Sequence, residues 1–316
     1  MEACYSQHQY NITSYDAMAM VIITLQALVG MWINIFIVSV LCIAWVKKKR
    51  FNSNEKILLS LGCYRFGYLC IIWLHSFLSV IYTGCFSVQP IPQLSAALQS
   101  FFNNSNLWVS ASLCVFYCIK IANFRNTFFN YLKVRIDRIV PWLLMGSVLL
   151  SLATCILVYI TNELNWNNYN STTLGNFWKL SVNLDEHLFA TFFITGFGYA
   201  TAFTAVISSA LLLLFSLWRH KRNMQTKSVK NLSMDAHIKA MKSILSFFFL
   251  YSINFICLVL TLIYTSREKN PALFLVVVFQ YAFPVVHSII LIFSNPNLEK
   301  TLLRTLSCVK CRVCRR

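Results

Sequence analysis

Few side chains in this sequence could do chemistry, and the plainest of them is a lone cation. Arg65 stands in Leu-Gly-Cys-Tyr-Arg65-Phe-Gly-Tyr, a stretch that otherwise carries no charge. A charge at the centre of a bilayer costs at least ~3 kcal/mol and faces a protein interior. Arg65 therefore needs polar company, and Asn34 and Ser288 fall at comparable depth in two other apolar stretches. These three form a candidate polar network. His75 lies about three helical turns beyond Arg65, and His287 adjoins Ser288. Neither has a second His or Cys at ligand spacing, so each reads as a hydrogen-bonded packing residue, with no metal and no cofactor expected. The C-terminal run Cys308-Val-Lys-Cys311-Arg-Val-Cys314 has metal-like spacing. Its basic neighbours and its place beside an apolar stretch favour palmitoylation of all three cysteines. No GxSxG, HExxH, phosphate loop or nucleotide fingerprint is present. The ten acids all lie outside the deep apolar stretches, unlike the carboxylates of ion and proton pumps. Nothing here points to an enzyme.

A second set of residues suggests recognition. In 107–124, Trp108, Ser112, Val115 and Ile119 recur at helical spacing and share one face. Trp108 offers a flat apolar wall with one hydrogen-bond donor, and Ser112 a hydroxyl one turn further on. Tyr117 and Lys120 stand toward the other end of the same rod. One helix would thus carry a ligand wall near one mouth and a contact surface near the other, as expected of a membrane receptor.

The elements that must position these groups follow from composition. The chain of 316 residues is 58% hydrophobic and 12% charged, where a soluble domain carries about 25% charged residues. Its apolar residues come in seven blocks, 17–46, 57–84, 94–122, 139–160, 188–218, 238–264 and 272–293, each long enough to cross a bilayer. The predicted fold is an all-α membrane protein: one seven-helix bundle over 1–316. An outer tail covers 1–16, a long second outer loop 161–186, and a tail 295–316 opens with a short amphipathic helix carrying Leu298, Leu302, Leu303 and Leu306. The net charge of +17 does not call for nucleic acid, because the cations crowd the gaps between blocks. Of the 27 Lys and Arg, 23 fall on one side of this layout and three on the other. By the positive-inside rule the N-terminus is outside and the C-terminus cytosolic. The sequons at Asn11 and Asn170 both fall on the predicted outside. Cys4 and Cys85 would face an oxidising exterior, and spacing leaves their pairing open.

The first stretch carries Gly30, Asn34, Phe36, Ile37 and Trp45, and the second Leu58, Leu59 and Arg65. The third carries Trp108 with Leu113-x-x-Phe116-Tyr117-x-x-Lys120-Ile-Ala-Asn-Phe124. In these motifs the chain resembles the type 2 (bitter) taste receptors, the last of them being similar to the family's third-span signature. Phe215-Ser-Leu-Trp-Arg-His220, His237-Ile-Lys-Ala-Met-Lys242 and Pro284-x-x-His287-Ser288 are similar to its later spans. The chain departs from the pattern where Ala202 lacks the proline usual nearby, where Val277 stands at a position at which some relatives carry an acid, and where Asn254 stands at one that is often tyrosine.

The resemblance implies a G-protein-coupled chemosensory receptor of the plasma membrane, crossing it several times and binding small bitter molecules. The expected ligand pocket lies in the outer half, lined by Trp108, Ser112, His75, Phe193, Asn254, Val277 and Gln280. The expected contact with a heterotrimeric G protein (a gustducin or Gi-type α subunit with βγ) involves Tyr117, Lys120, His220, His237, Lys239 and Lys242. Membrane lipids, a sterol among them, are further expected partners. A vomeronasal-type pheromone receptor is the alternative within receptors, and a seven-span transporter or channel the alternative outside them.

Overall fold

The computed structural model describes residues 14–81, 90–122, 127–171, 196–216, 218–219, 222, 245–257, 259–260 and 271–313. Among these the chain is all helical. The helices are α1 (Ser14–Lys48), α2 (Ser53–Ile81), α3 (Ile91–Ile121), α4 (Thr127–Ser171), α5 (Gly196–Ser216), α6 (Leu245–Cys257), α7 (Pro271–Ser294) and α8 (Pro296–Val313). Each of the seven apolar blocks overlaps one of α1 to α7. The fourth runs further than the hydropathy pattern suggests. α4 continues to Ser171, so the first residues of the expected loop 161–186 are helical.

Local chemistry sets where the rods stop. α1 ends at Lys49, whose backbone turns left-handed at φ 53° while its N–H returns to the Trp45 carbonyl at 2.6 Å. That is a helix cap usually given to glycine. α2 opens with the carboxylate half of a capping box, the Asn52 N–H donating to Glu55 Oε2 at 2.9 Å. α3 begins beside Pro90 and Pro92, which suit a first turn because its N–H groups lack helical partners. Pro141 lies inside α4 and cannot donate to the Asp137 carbonyl one turn back. Ser53 Oγ from α2 lies 3.5 Å from that carbonyl. α7 breaks at Asn295 because Pro296 cannot continue it, and α8 leaves at 97°. Asn295 Oδ1 then accepts the Asn297 N–H at 3.0 Å.

Among the described residues four helices are long and apolar enough to cross a membrane: α1, α2, α4 and α5. The bent α7–α8 pair raises the number to five. α6 is a shorter apolar helix. The surface is apolar where a soluble protein would be polar. Trp32 is 74% exposed and Trp142 67%, and Leu149, Phe197, Phe249 and Phe279 also face outward. Patches of this extent mark a lipid-facing wall.

α3 is the exception that orders the bundle. It spans 31 residues, about 46 Å, yet it is too polar to pass as a span by composition. The reason is its position, because lipid does not surround it. Asn104, Ser105, Asn106, Ser110 and Ser112 are all buried, facing other helices. One core cluster joins Val109, Leu113, Phe116 and Ile119 of α3 to α1, α2, α4 and α7, with Leu298 of α8 at its edge. A second joins Leu107 and Ala111 of α3 to α5, α6 and α7. Among the described residues α3 is the only helix to enter both with several buried residues, so it is the axis about which the rest pack.

α2 and α3 approach closely at Gly67. A Cβ built there would stand 2.4 Å from the Phe102 ring. Gly67→Ala is expected to destabilise the purified protein by about 1–3 kcal/mol through overpacking. Adding Phe102→Leu should recover part of that loss, so the two changes will be non-additive in thermal unfolding. Additive losses would show that the helices can separate freely at this point.

Candidate functional site

Arg65 is 0% exposed, and its guanidinium is spoken for on every side. Nε donates to Asn106 Oδ1 at 2.9 Å, and the two terminal nitrogens donate to Ser288 Oγ at 2.9 Å and Ser110 Oγ at 3.4 Å. The nitrogen that reaches Ser110 also donates to His287 Nδ1. Accepting there places the imidazole's single hydrogen on Nε2. Ser288 Oγ lies 3.0 Å from Asn34 Oδ1 and 2.7 Å from the Pro284 carbonyl, and Asn34 Nδ2 donates to the Gly30 carbonyl at 2.8 Å. One cation thereby ties α2 to α3 and α7, and through Ser288 to α1. The structure brings Asn34, Arg65 and Ser288 together, and adds Asn106, Ser110 and His287.

An aromatic column stands against this network. Phe255 stacks on Phe203 with centroids 4.2 Å apart, Phe203 on Tyr251 at 6.3 Å, Tyr251 meets Phe247 at 5.7 Å, and Phe247 meets His287 at 4.2 Å. Phe283 closes the same group edge-on to Tyr251. Trp108 packs against this cluster, two residues from the Asn106 that holds Arg65. The Tyr251 hydroxyl donates to the Leu107 carbonyl at 3.3 Å, which pins α6 to α3 beside Trp108. Ser112 is buried, its hydroxyl donating to the Trp108 carbonyl at 2.8 Å.

Further toward the end of the bundle away from the α1–α2 junction lies a polar belt. Asn103 Nδ2 donates to the Tyr199 hydroxyl. Gln99 Nε2 donates to the Tyr281 hydroxyl at 3.4 Å, and Tyr281 meets Tyr68 edge-on at 6.4 Å. His75 Nδ1 lies 3.2 Å from Ser95 Oγ. Reasoning from sequence passed over Gln99, Asn103, Tyr199 and Tyr281. A signal was there: Gln99, Asn103, Asn106 and Ser110 recur at three- and four-residue steps on α3, a polar stripe in a helix expected to be apolar.

The opposite end is basic. A cavity of about 840 Å³ opens between the α1–α2 junction, α3 and α4, with Lys49, Arg50, Lys56 and Lys120 among its walls and Phe116 and Tyr117 behind them. Lys120 Nζ is engaged by Asp137 Oδ2 at 3.0 Å and lies 5.6 Å from the centre of the Phe116 ring. Lys133 Nζ donates to the Ala122 carbonyl at 3.2 Å, satisfying the open end of α3.

The described residues of the expected pocket fall on four helices. Trp108, His75, Asn254 and Gln280 are partly buried on α3, α2, α6 and α7, and Val277 is a backbone position on α7. Asn170 falls in the last turn of α4, and Cys308 and Cys311 on α8. Phe193, His220, His237, Lys239, Lys242, Asn11, Cys314, Cys4 and Cys85 lie outside the described residues.

Residues 12–310 match the family model "Taste receptor protein (TAS2R)". The chain is 31% identical over 311 residues to "Taste receptor type 2 member 9" of Papio hamadryas, covering 94% of this chain and 96% of that protein. It is 30% identical over 318 residues to the protein of the same description from Homo sapiens, with 96% and 98% covered. Against "Taste receptor type 2 member 7" of Papio hamadryas the identity is 32% over 290 residues, with 88% and 89% covered.

Removing the cation strands its partners in the interior. Arg65→Ala is expected to destabilise the purified protein by about 3–5 kcal/mol, as when one member of a buried charged pair is deleted. Arg65→Lys should lie between, because a point charge cannot reproduce the fork that serves four acceptors. Thermal unfolding with surface-expression counts checks this. Equal melting of Arg65→Lys and the parent would show that the fork geometry is not needed.

Proposed function

The chain belongs to the type 2 taste receptor family of transmembrane G-protein-coupled receptors, and from that premise we propose that it is a plasma-membrane bitter receptor coupling a small-molecule pocket in its outer half to a G protein at its basic, cytosolic end. Family membership makes it a receptor and not an enzyme. It separates the chain from the pheromone-receptor and transporter alternatives.

The observation that carries this proposal is the unbroken aromatic path from Phe255 through Phe203, Tyr251 and Phe247 to His287 and Arg65. Trp108 packs against the cluster that holds this path, and an aromatic-lined site with few polar anchors there suits apolar, planar agonists of varied shape. The path ends at the hydrogen-bonded charge that holds α2, α3 and α7 in register. An agonist acts by favouring one arrangement of these helices over another. A ligand wedged between Trp108 and the α5–α6 aromatics does so by changing how Tyr251 and Phe247 pack, and hence how α6 stands against α3. The inner ends of α5 and α6 then part, and the α subunit's C-terminal helix enters among Tyr117, Lys120 and the cations His220, His237, Lys239 and Lys242. Positive charge there suits an acidic, carboxylate-ended helix of a gustducin or Gi-type subunit.

The bundle is assigned seven spans, with the N-terminus outside. The support is the 23-to-3 split of Lys and Arg, together with the helical overlap of all seven blocks. Asn11 and Asn170 would then carry glycans, Cys308, Cys311 and Cys314 palmitate, and the lipid-facing wall would meet phospholipid and sterol.

In cells expressing a matched G protein, Trp108→Ala is expected to raise the half-maximal concentration of a bitter agonist by at least about tenfold, the loss of one large apolar contact. Unchanged potency at intact surface expression would sink the pocket assignment. Lys239→Ala with Lys242→Ala should lower the maximal response while leaving agonist binding in place. If activation is untouched, those lysines serve only topology. Asn11→Gln and Asn170→Gln should each remove one glycosidase-sensitive step in gel mobility, and a protein lacking both steps from the start would reverse the orientation.

A further inference from the structure

Where α8 turns away from α7 it leaves a groove against the lower end of α1, with a volume of about 520 Å³. Its floor is apolar, formed by Val40, Leu41, Ile43 and Ala44 of α1 and by Leu298 of α8. Its rim is cationic, formed by Lys47 and Lys48 of α1 and by Lys300 and Arg304 of α8. The one carboxylate lining it is Glu55. That group is already engaged, accepting the Asn52 N–H at 2.9 Å and lying 3.7 Å from Lys48. Among the described residues no ion pair involves Lys47, Lys300 or Arg304. Three cations from two helices therefore line an apolar trough, and among the described residues none of the three has a carboxylate within ion-pair distance.

The surroundings specify what neutralises them. α8 leaves α7 at 97°, so it runs along the bilayer plane when α7 crosses it. Leu303 and Leu306 of α8 are exposed, as are Ile43 and Val46 of α1. The groove thus opens onto lipid at the level where headgroups lie. We propose that it binds a phosphorylated anionic lipid of the inner leaflet, of the phosphoinositide class. The multiply charged headgroup sits between Lys47, Lys300 and Arg304, and an acyl chain lies along Ile43 and Ala44. A singly charged headgroup would leave most of this charge unmatched, whereas clustered Lys and Arg beside a membrane favour polyvalent ones. Thr301 and Asn297 on the same rim add neutral hydrogen-bonding groups. Occupancy holds α8 against α1 next to Leu298, and Leu298 packs into the same core cluster as Phe116 and Ile119 of α3. The proposal rests on the orientation given above, which puts the α1–α2 junction in the cytosol.

The test is binding of a fluorescent short-chain phosphatidylinositol 4,5-bisphosphate to the full-length receptor in detergent micelles. Saturable binding is expected, weakened at least about tenfold in a Lys47→Gln, Lys300→Gln, Arg304→Gln triple variant. The charge-preserving set Lys47→Arg, Lys300→Arg, Arg304→Lys should stay within about twofold of the parent. So should Lys227→Gln with Lys230→Gln, cations placed elsewhere in the chain. Soluble inositol trisphosphate should compete at least about tenfold more weakly than the lipid, since it lacks the chain that fills the trough. If the neutralised triple fails to fold, Arg304→Gln alone is read and is expected to weaken binding about threefold. The proposal is overturned by parent-like binding in the triple or in Arg304→Gln. Equal loss in the Lys227 and Lys230 control, or equal competition by the soluble headgroup, would also overturn it. Micelles have no sides, so this result is independent of orientation, which the glycan steps at Asn11 and Asn170 report separately.

Discussion

A single buried cation constrains the whole molecule. Arg65 is fully buried, and a buried charge must be hydrogen-bonded inside the protein. Every helix that meets it must therefore present an acceptor at the right height. Asn106 and Ser110 do so from α3, and Ser288 and His287 from α7. α1 joins through Asn34, which meets the same Ser288. A slip of one turn in α2, α3 or α7 would strand the charge, so the network specifies the register that generic apolar packing leaves loose. A lysine could not serve as many directions, because only the planar guanidinium donates along several fixed axes at once.

The same arrangement couples two parts of the interior. The column ending at His287 shares that residue with the charge network, so aromatic packing between α5 and α6 and the hydrogen bonding of Arg65 are not independent. His287 accepts from Arg65 on one side and is wedged between Phe247 and Phe283 on the other. Moving either ring changes the position of an acceptor that the cation needs. On the proposed function, agonist energy delivered near Trp108 has a short physical route to the inner half of the bundle, through contacts with discrete packed arrangements.

Hydropathy behaves in this fold according to what surrounds each helix. α1 and α4 lie at the periphery, show Trp32 and Trp142 to the outside, and are strongly apolar. α3 is enclosed and carries a polar stripe that its neighbours satisfy. The buried polar groups are thus concentrated in the helix with the least lipid contact, as expected where no water can solvate a stranded donor. The basic ends extend the same logic to the surface. Cations gather around the α1–α2 junction and the start of α8, and among the described residues only Lys48 and Lys120 of them are ion-paired.

Much of this was legible in the residues. Long apolar blocks identify helices in a membrane because only a helix satisfies every backbone group without water, and the clustering of Lys and Arg supports the proposed sides. Arg65 announced a network, since an uncompensated charge there is untenable, and Asn34 and Ser288 were recognisable as polar residues at matching depth. His287 could be read only as a packing histidine. Its bond to Arg65 depends on the rotation of α7, which hydropathy does not encode. Asn106 and Ser110 were hidden for a similar reason: helical spacing shows that they share a stripe, and only the crossing of α2 and α3 shows what the stripe faces. The extension of α4 to Ser171 went unread because its polar last turns look like a loop to a hydropathy pattern. Local composition determined that this chain forms apolar helices, where they begin and end to within a few turns, and which family pattern they follow. The packing of helix on helix decided which side chains meet, because contacts across hundreds of positions in sequence depend on rotations and tilts that no single stretch of residues specifies.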